Sequence, residues 1–338
     1  MVVNPKHPFV SMFNYLLVQF SYFLGTSKSW GYPYHITLEP TNACNLKCPL
    51  CPTGLGTLNR PKGKMGLDEF KRIIDEIGPY IARLEMAGLG EPFINSDICK
   101  MIRHAADAGV WVHLDTNVTL IDTPQKVHDL IASGLGTLNM SIDGATQETY
   151  EKYRVNGNLA RVLENLKALV EEKKRQGVKH PEIVCQVVVT RQNEHEIDDI
   201  RRIATELGVD RFVAKSATLA MAEPPDKGNI SEALIEKFFP RNKAFRRHKV
   251  AKEQMYENGC SSLYKNAFIL WNGELTTCCH DTRGVNVRGN ILKDSSFGDA
   301  WNSQTYRNLR KQVNTDIRKA APLCSVCPAR VVVKGRDD

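Results

Sequence analysis

Ten cysteines in a chain of 338 residues are the feature most able to do chemistry, because they are not spread evenly. Cys44, Cys48 and Cys51 fall within eight residues, and Cys260, Cys278, Cys279, Cys324 and Cys327 all lie beyond residue 259. Cys99 and Cys185 stand alone in helix-like and strand-like patterns and read as small packed hydrophobes. So few thiols for the length do not make a disulfide scaffold, and the N-terminal apolar segment lacks a small-residue cleavage site for a secretory signal. The expected compartment is therefore the reducing cytoplasm, where clustered thiols bind metal. Thiolates select zinc, copper(I) or iron–sulfur clusters. A triplet leaves a zinc site one protein ligand short, whereas three thiolates on a four-iron cluster leave one iron open to an exogenous ligand.

The elements that must position these thiols alternate between strand and helix patterns from about residue 35. His35–Glu39 is an apolar strand running straight into the first cysteine loop. Further strands are expected at Arg83–Ala87, Val110–Asp115, Thr137–Ile142, Glu182–Thr190 and Arg211–Ser216. Between them, helical spacing recurs at Leu67, Phe70, Ile73, Ile74 and Ile77, then at Ile98, Met101, Ile102 and Ala105. It returns at Leu159, Val162, Leu163, Leu166, Leu169 and Val170. Thr123 before Pro124 marks a capped helix start, and Asn193 with Glu196 reads as a capping box for a helix carrying Ile197, Ile200, Ile203 and Leu207. Repeated β-then-α units predict a parallel sheet with right-handed crossovers. Residues 218–255, with Pro224, Pro225 and a basic stretch from Arg241 to Lys249, break the rhythm and read as a linker with one or two helices.

The first cluster sits in the run Glu39-Pro40-Thr41-Asn42-Ala43-Cys44-Asn45-Leu46-Lys47-Cys48-Pro49-Leu50-Cys51. This C-x3-C-x2-C spacing, on a loop after the first strand of a βα array, resembles the radical SAM superfamily. The resemblance implies an α/β fold, a partial (β/α)6 TIM-type barrel over residues 35–217, preceded by an extension at 1–34. It implies a [4Fe–4S] cluster on Cys44, Cys48 and Cys51 whose open iron binds S-adenosyl-L-methionine. Reductive cleavage of that molecule would yield a 5′-deoxyadenosyl radical that takes hydrogen from a substrate. Gly88-Leu89-Gly90-Glu91-Pro92 resembles the GGEP motif contacting the methionyl amino group, carried by Gly90, Glu91 and Pro92 because Leu89 replaces a glycine. Ser141 and Arg154 match the pair that holds the methionyl carboxylate in related enzymes; a surface charge is the other reading of Arg154. Leu50 takes the place of an aromatic next to adenine, and Asp115-Thr116-Asn117 resembles a TNG motif in which Val118 replaces the glycine.

The later cysteines resemble the C-terminal SPASM extension in its shortened twitch form, over residues 256–338. Cys260, Cys278, Cys324 and Cys327 would then close one auxiliary [4Fe–4S] cluster. Structural zinc on the same thiolates is the alternative, and Cys279 could exchange with Cys278. No general acid or base is assignable; His280 and Asp281 beside the auxiliary cysteines and Lys215 at the end of the sixth strand are candidates, with surface or capping roles equally open.

The resemblance allows several substrates. The expected reaction is dehydrogenation or epimerisation of a carbohydrate or lipid-linked small molecule, with peptide or protein side-chain modification as the alternative. Only 34 residues precede the first strand, too few for the folded recognition domain of many leader-peptide-modifying relatives. An electron donor such as flavodoxin or ferredoxin is the implied protein partner. Phe9, Met12, Phe13, Leu16, Leu17, Phe20, Phe23 and Leu24 recur at helical spacing, with Ser11, Asn14, Gln19 and Ser21 on a more polar side. The segment is too short and mixed for a spanning helix; it could pack on the barrel or lie peripherally on a membrane. Hydrophobic residues at 42% and charged residues at 25% exclude a disordered or collagen-like chain, and a net charge of +7 makes no case for nucleic acid. The basic runs Lys173–Lys179 and Arg241–Lys249 read as solvated faces, since Phe245 is their only aromatic besides histidine, and no nucleic acid partner is expected.

Overall fold

Strand residues alternate across a sheet, and the first three strands of this chain show that alternation as a strict exchange of buried and half-buried side chains. The computed structural model describes residues 3–217, 236–245, 259–278, 281–294, 296–317 and 320–325. The parallel strands are β1 (His35–Leu38), β2 (Arg83–Met86), β3 (Trp111–Thr116), β4 (Thr137–Ser141), β5 (Glu182–Val189) and β6 (Arg211–Ser216). They lie side by side in chain order, each parallel to the next. Right-handed crossovers in one direction send the intervening helices to a single face. The helices are α3 (Leu67–Ile77), α4 (Ile98–Asp107), α5 (Pro124–Ala132), α6 (Gln147–Tyr153), α7 (Leu159–Gln176) and α8 (Ile197–Glu206); α1 (Pro8–Phe23) and the short α2 (Pro52–Leu55) precede them. Under this layer lie the core rows Ile36–Leu84–Val112 and Leu38–Met86–Leu114–Leu138, set by the strand register. This is the partial (β/α)6 barrel expected from the sequence.

Thr123 caps α5 as expected, its Oγ1 accepting the Lys126 N–H at 3.3 Å. The capping box at α8 does not form, and the reason is tertiary. Asn193 instead accepts the Thr190 N–H at 2.7 Å and donates to the Asp143 and Val188 carbonyls, each at 3.0 Å. The Glu196 carboxylate reaches the Ala145 N–H at 2.9 Å and the Thr149 hydroxyl at 2.8 Å. Both side chains are spent on the loop leaving β4, where buried polar groups need partners more than an exposed helix end does.

The C-terminal strands join the same sheet. β7 (Asn266–Ile269) runs parallel to β1 on the side away from β2, and β8 (Glu274–Thr276) and β9 (Val287–Asn290) continue it antiparallel. Glycines at positive φ, Gly273 and Gly284, make the turns read at Asn272-Gly273 and Arg283-Gly284. The fully buried Arg310 stacks on Trp301 and Tyr306 at 4.5 Å and donates to the Leu263, Trp301 and Ser27 carbonyls, tying this module to the N-terminal extension. Most of the linker read at 218–255 lies outside the described residues.

Helix α1 packs across the end of the sheet where strands begin, with its polar side inward. The Asn14 side chain donates to the Tyr32 carbonyl at 2.9 Å and accepts the Tyr32 N–H at 2.7 Å. Asn4 donates to the Gly78 and Ala108 carbonyls at 2.8 and 3.0 Å, on the loops leading into β2 and β3. An Asn14→Leu chain should lose about 1–3 kcal/mol, because both Tyr32 backbone groups are left unanswered. Thermal unfolding beside an Asn14→Asp control, which keeps an acceptor for the N–H, measures this.

Candidate active site

The thiol loop is held at its start by the Asn42 side chain and at its end by backbone bonds that lead into α2. Asn42 closes a reciprocal pair with the distant segment, donating to the Pro61 carbonyl at 2.7 Å and accepting the Gly63 N–H at 2.9 Å. The Cys51 N–H bonds the Cys48 carbonyl at 3.1 Å, and Cys51 then serves as N-cap of α2, with Pro52 at its first position. Gly90 lies against this loop: a Cβ there would collide with the Thr41 carbonyl oxygen, so only glycine permits the approach. The next residue locks it, the Glu91 N–H bonding the Ala43 carbonyl at 2.8 Å. Pro92 is buried and opens a short 3-10 turn.

Glu91 is fully enclosed and accepts the Thr116 hydroxyl at 2.7 Å, the Asn117 N–H at 2.8 Å and the Phe93 N–H at 3.2 Å. Burial pushes its carboxyl above the usual range, and these three donors oppose that shift. Val118 adopts φ +67°, the left-handed conformation a glycine would supply at that point of the motif. A β-branched residue held there stores strain of order 1–3 kcal/mol. It is retained by the Val118 N–H on the Thr116 hydroxyl and its carbonyl on Asn165.

Arg154 is not a surface charge. Its Nε is paired with Asp143 Oδ2, and Nη1 points at Cys48 Sγ from 3.7 Å. Asp143 is itself buried and takes the Val188 N–H at 2.6 Å on its other oxygen. Burial alone would lower the guanidinium, but Asp143 and Cys48 hold it well above its ordinary value. Ser141 ends β4, and Leu50 is buried among Tyr153, Ala217 and Phe238.

The donor set fits an electron-rich sulfur cluster. Three N–H groups point at the thiol sulfurs: Leu46 at 3.4 Å and Asn117 at 3.9 Å on Cys44, and Arg154 on Cys48. Such bonds stabilise thiolates and tune iron–sulfur potentials. Burial pushes the Cys44 thiol up to about 11 and raises that of Cys48 as well. Cys260, Cys278 and Cys324 are half-buried in the C-terminal module, while Cys279, His280 and Cys327 lie outside the described residues. The described cysteines form no disulfide; burial raises Cys99 and Cys185 to about 12, as packed hydrophobes require.

Two weak candidates sit elsewhere. Asp281 is buried and spends its oxygens on the Val285 and Asn286 N–H groups, each at 2.9 Å, which is the turn-capping reading. Lys215 is exposed on β6, the edge strand farthest from β1 in sheet order. A further polar surface had no motif to announce it. Thr37, Glu85, His113, Asp115, Asn139 and Gln186 line the sheet face opposite the helices, linked by His113–Asp115 at 3.1 Å, Asn139–Asp115 at 2.8 Å and Asn139–Gln186 at 2.9 Å. Burial alone would raise Glu85, yet hydrogen bonding and charge from His35, with Arg83 and His113, bring it down to about 2. The only signal was polar residues at alternate strand positions.

A family model of the radical SAM superfamily matches residues 38–204, and one of the SPASM iron–sulfur cluster-binding domain matches residues 260–328. The AdoMet-dependent heme synthase of Methanosarcina barkeri is 34% identical over 341 residues, covering 90% of each chain. The protein belongs to the radical SAM superfamily. It is thus an enzyme working with a [4Fe–4S] cluster and S-adenosylmethionine, and its SPASM region binds auxiliary iron–sulfur. The PqqA peptide cyclase of Bradyrhizobium diazoefficiens is 27% identical over 188 residues, 55% of this chain and 47% of that one. The crystal structure of Streptococcus suis SuiB bound to S-adenosylmethionine superposes with a TM-score of 0.61 at 18% identity, over 83% of this chain and 68% of SuiB, and so shares the fold. Among the described residues no helix is long and apolar enough to cross a membrane.

Proposed function

We propose that this radical SAM enzyme modifies a peptide or protein side chain. The carbohydrate or lipid-linked substrate expected from the sequence has less support than this alternative. The observation that carries it is the likeness to the PqqA peptide cyclase over 55% of this chain and 47% of that one. An open barrel edge at β6, unpaired among the described residues, would admit an extended chain to the mouth of the cup.

In this reading Cys44, Cys48 and Cys51 hold the reactive cluster, and Gly90, Glu91 and Pro92 shape the backbone that meets the methionyl amino group. Ser141 and Arg154 hold the methionyl carboxylate, with Asp143 keeping the guanidinium charged and aimed. Asn117 steadies Cys44, and Leu50 borders the adenine side. Cys260, Cys278, Cys324 and Cys327 would hold one auxiliary [4Fe–4S] cluster, which would accept the electron given up as the substrate radical is oxidised, while a flavodoxin- or ferredoxin-like donor would supply the electron that starts the reaction. The chemistry supplied when cluster and S-adenosylmethionine are bound is reductive sulfonium cleavage and hydrogen abstraction from a substrate C–H.

The second reading, reaction on a small organic molecule, rests on the likeness to the AdoMet-dependent heme synthase, which matches along 90% of both chains. Anaerobic reconstitution should give about eight irons per chain and 5′-deoxyadenosine from the reduced enzyme, and Cys44→Ala should drop to about four irons with no product. Deuterium carried into 5′-deoxyadenosine from a side-chain-deuterated candidate peptide, and not from deuterated porphyrin or sugar, supports the peptide reading; the opposite pattern refutes it.

A further inference from the structure

Helix α1 is amphipathic in the reverse sense for a helix packed on a globular domain. Its buried residues are Ser11, Asn14, Val18 and Ser21. Its apolar stripe points outward: Phe9 is 90% exposed, Phe13 64%, Phe20 56% and Phe23 84%. Leu16 falls in the same row, and Met12 and Leu24 border it. Polar side chains facing inward have spent their hydrogen bonds on the loops beneath, as with the Trp30 N–H on Ser21 Oγ at 2.9 Å. The outward face therefore offers almost no directional bond to a partner, and it is a contiguous apolar patch of the kind monomeric surfaces rarely leave bare.

Charge decides what covers it. Between residues 3 and 38 the only Lys, Arg, Asp or Glu side chains are Lys6 and Lys28, one beyond each end of α1. Lys265 adds a third cation, 5.1 Å from the Tyr22 ring centre. A two-fold dimer through this stripe would set Lys6 against Lys28 if antiparallel, or like against like if parallel, with no acid on the helix to answer either. Lys6 already donates to the Asp107 carbonyl, so an anionic lipid surface answers chiefly Lys28 and Lys265, and it accepts the phenylalanines without hydrogen bonds. Trp30, half-exposed just past the helix, suits the headgroup zone.

We propose that α1 is a peripheral docking element that lays its phenylalanine stripe into an anionic membrane surface. The helix sits where strands β2 and β3 begin, and the thiol loop sits where β1 ends. Docking therefore turns the catalytic mouth away from the bilayer, toward substrates arriving from water.

The test is flotation of the full reconstituted enzyme with vesicles of phosphatidylcholine alone and of phosphatidylcholine with phosphatidylglycerol, alongside its oligomeric state by light scattering. The wild type should float with the anionic vesicles and less as salt rises. Phe13→Glu/Phe20→Glu should cut the bound fraction at least about tenfold while 5′-deoxyadenosine formation is unchanged. Lys28→Glu/Lys265→Glu lies outside α1 and should weaken binding to anionic vesicles alone, which keeps the test decisive should the first variant misfold. A wild type that floats with neither vesicle, or a dimer split by Phe13→Glu/Phe20→Glu, overturns the proposal, the latter giving the face to a second copy.

Discussion

An Arg154→Met enzyme is expected to lose about 3–5 kcal/mol of stability, because it leaves the Asp143 carboxylate buried without its cation. It should also lose at least about thirtyfold in S-adenosylmethionine affinity, the roughly 2 kcal/mol that truncating a buried charged donor removes. The two losses are separable. Asp143→Asn/Arg154→Met takes away both charges, and the remaining amide can still accept the Val188 N–H. Its melting temperature should return most of the way to wild type, while cofactor binding stays weak. Anaerobic thermal melts and equilibrium binding of S-adenosylmethionine on the same samples measure both. Recovery of binding along with stability would make Arg154 a structural residue alone. Arg154→Lys adds a second reading, since a point charge keeps the ion pair without the two-pronged geometry a carboxylate prefers.

What could be read from the sequence follows the range of the interaction. The three thiols, Gly90-Glu91-Pro92 and the βα rhythm depend on neighbours within a few residues, and each appears in the fold where its spacing places it. The Asn193–Glu196 pattern was equally local and failed, because β4's exit loop offered both side chains buried partners far away in sequence. Periodicity in α1 revealed two faces but not which faces inward; that depended on Tyr32 and Tyr80 presenting backbone groups that the Asn14 amide could satisfy. The Val118 substitution looked like a departure from the motif, yet the backbone there keeps the glycine conformation. Pairing of β7 with β1 joins segments more than two hundred residues apart, a contact no local pattern encodes. Basic residues at the end of α7 proved to be paired, Lys173 with Asp210 and Arg175 with Glu172, both at 2.6 Å.

The same long-range logic makes Glu39 and Arg60 the second large effect. Glu39 is fully buried directly after β1, and Arg60 meets both of its oxygens, with Nη1 on Oε2 at 2.8 Å. Leu89 and Trp271 offer longer backbone N–H contacts to the same carboxylate, at 3.5 and 3.4 Å. The Arg60 guanidinium also donates to the Thr282 carbonyl at 3.1 Å. One ion pair thus joins the thiol loop's strand, the Gly88–Pro92 turn and the C-terminal module. Arg60→Met should cost about 3–5 kcal/mol, as a buried carboxylate left alone does. The module loses its tether at Thr282 as well, so electron transfer between the two cluster regions should slow more than S-adenosylmethionine cleavage does. Glu39→Gln/Arg60→Met is the control: it should regain most of the stability without restoring the tether. Iron content, melting temperature, and the ratio of substrate product to 5′-deoxyadenosine read the three effects separately. A double variant with wild-type coupling would show that the pair holds the fold together without aligning the two cluster regions.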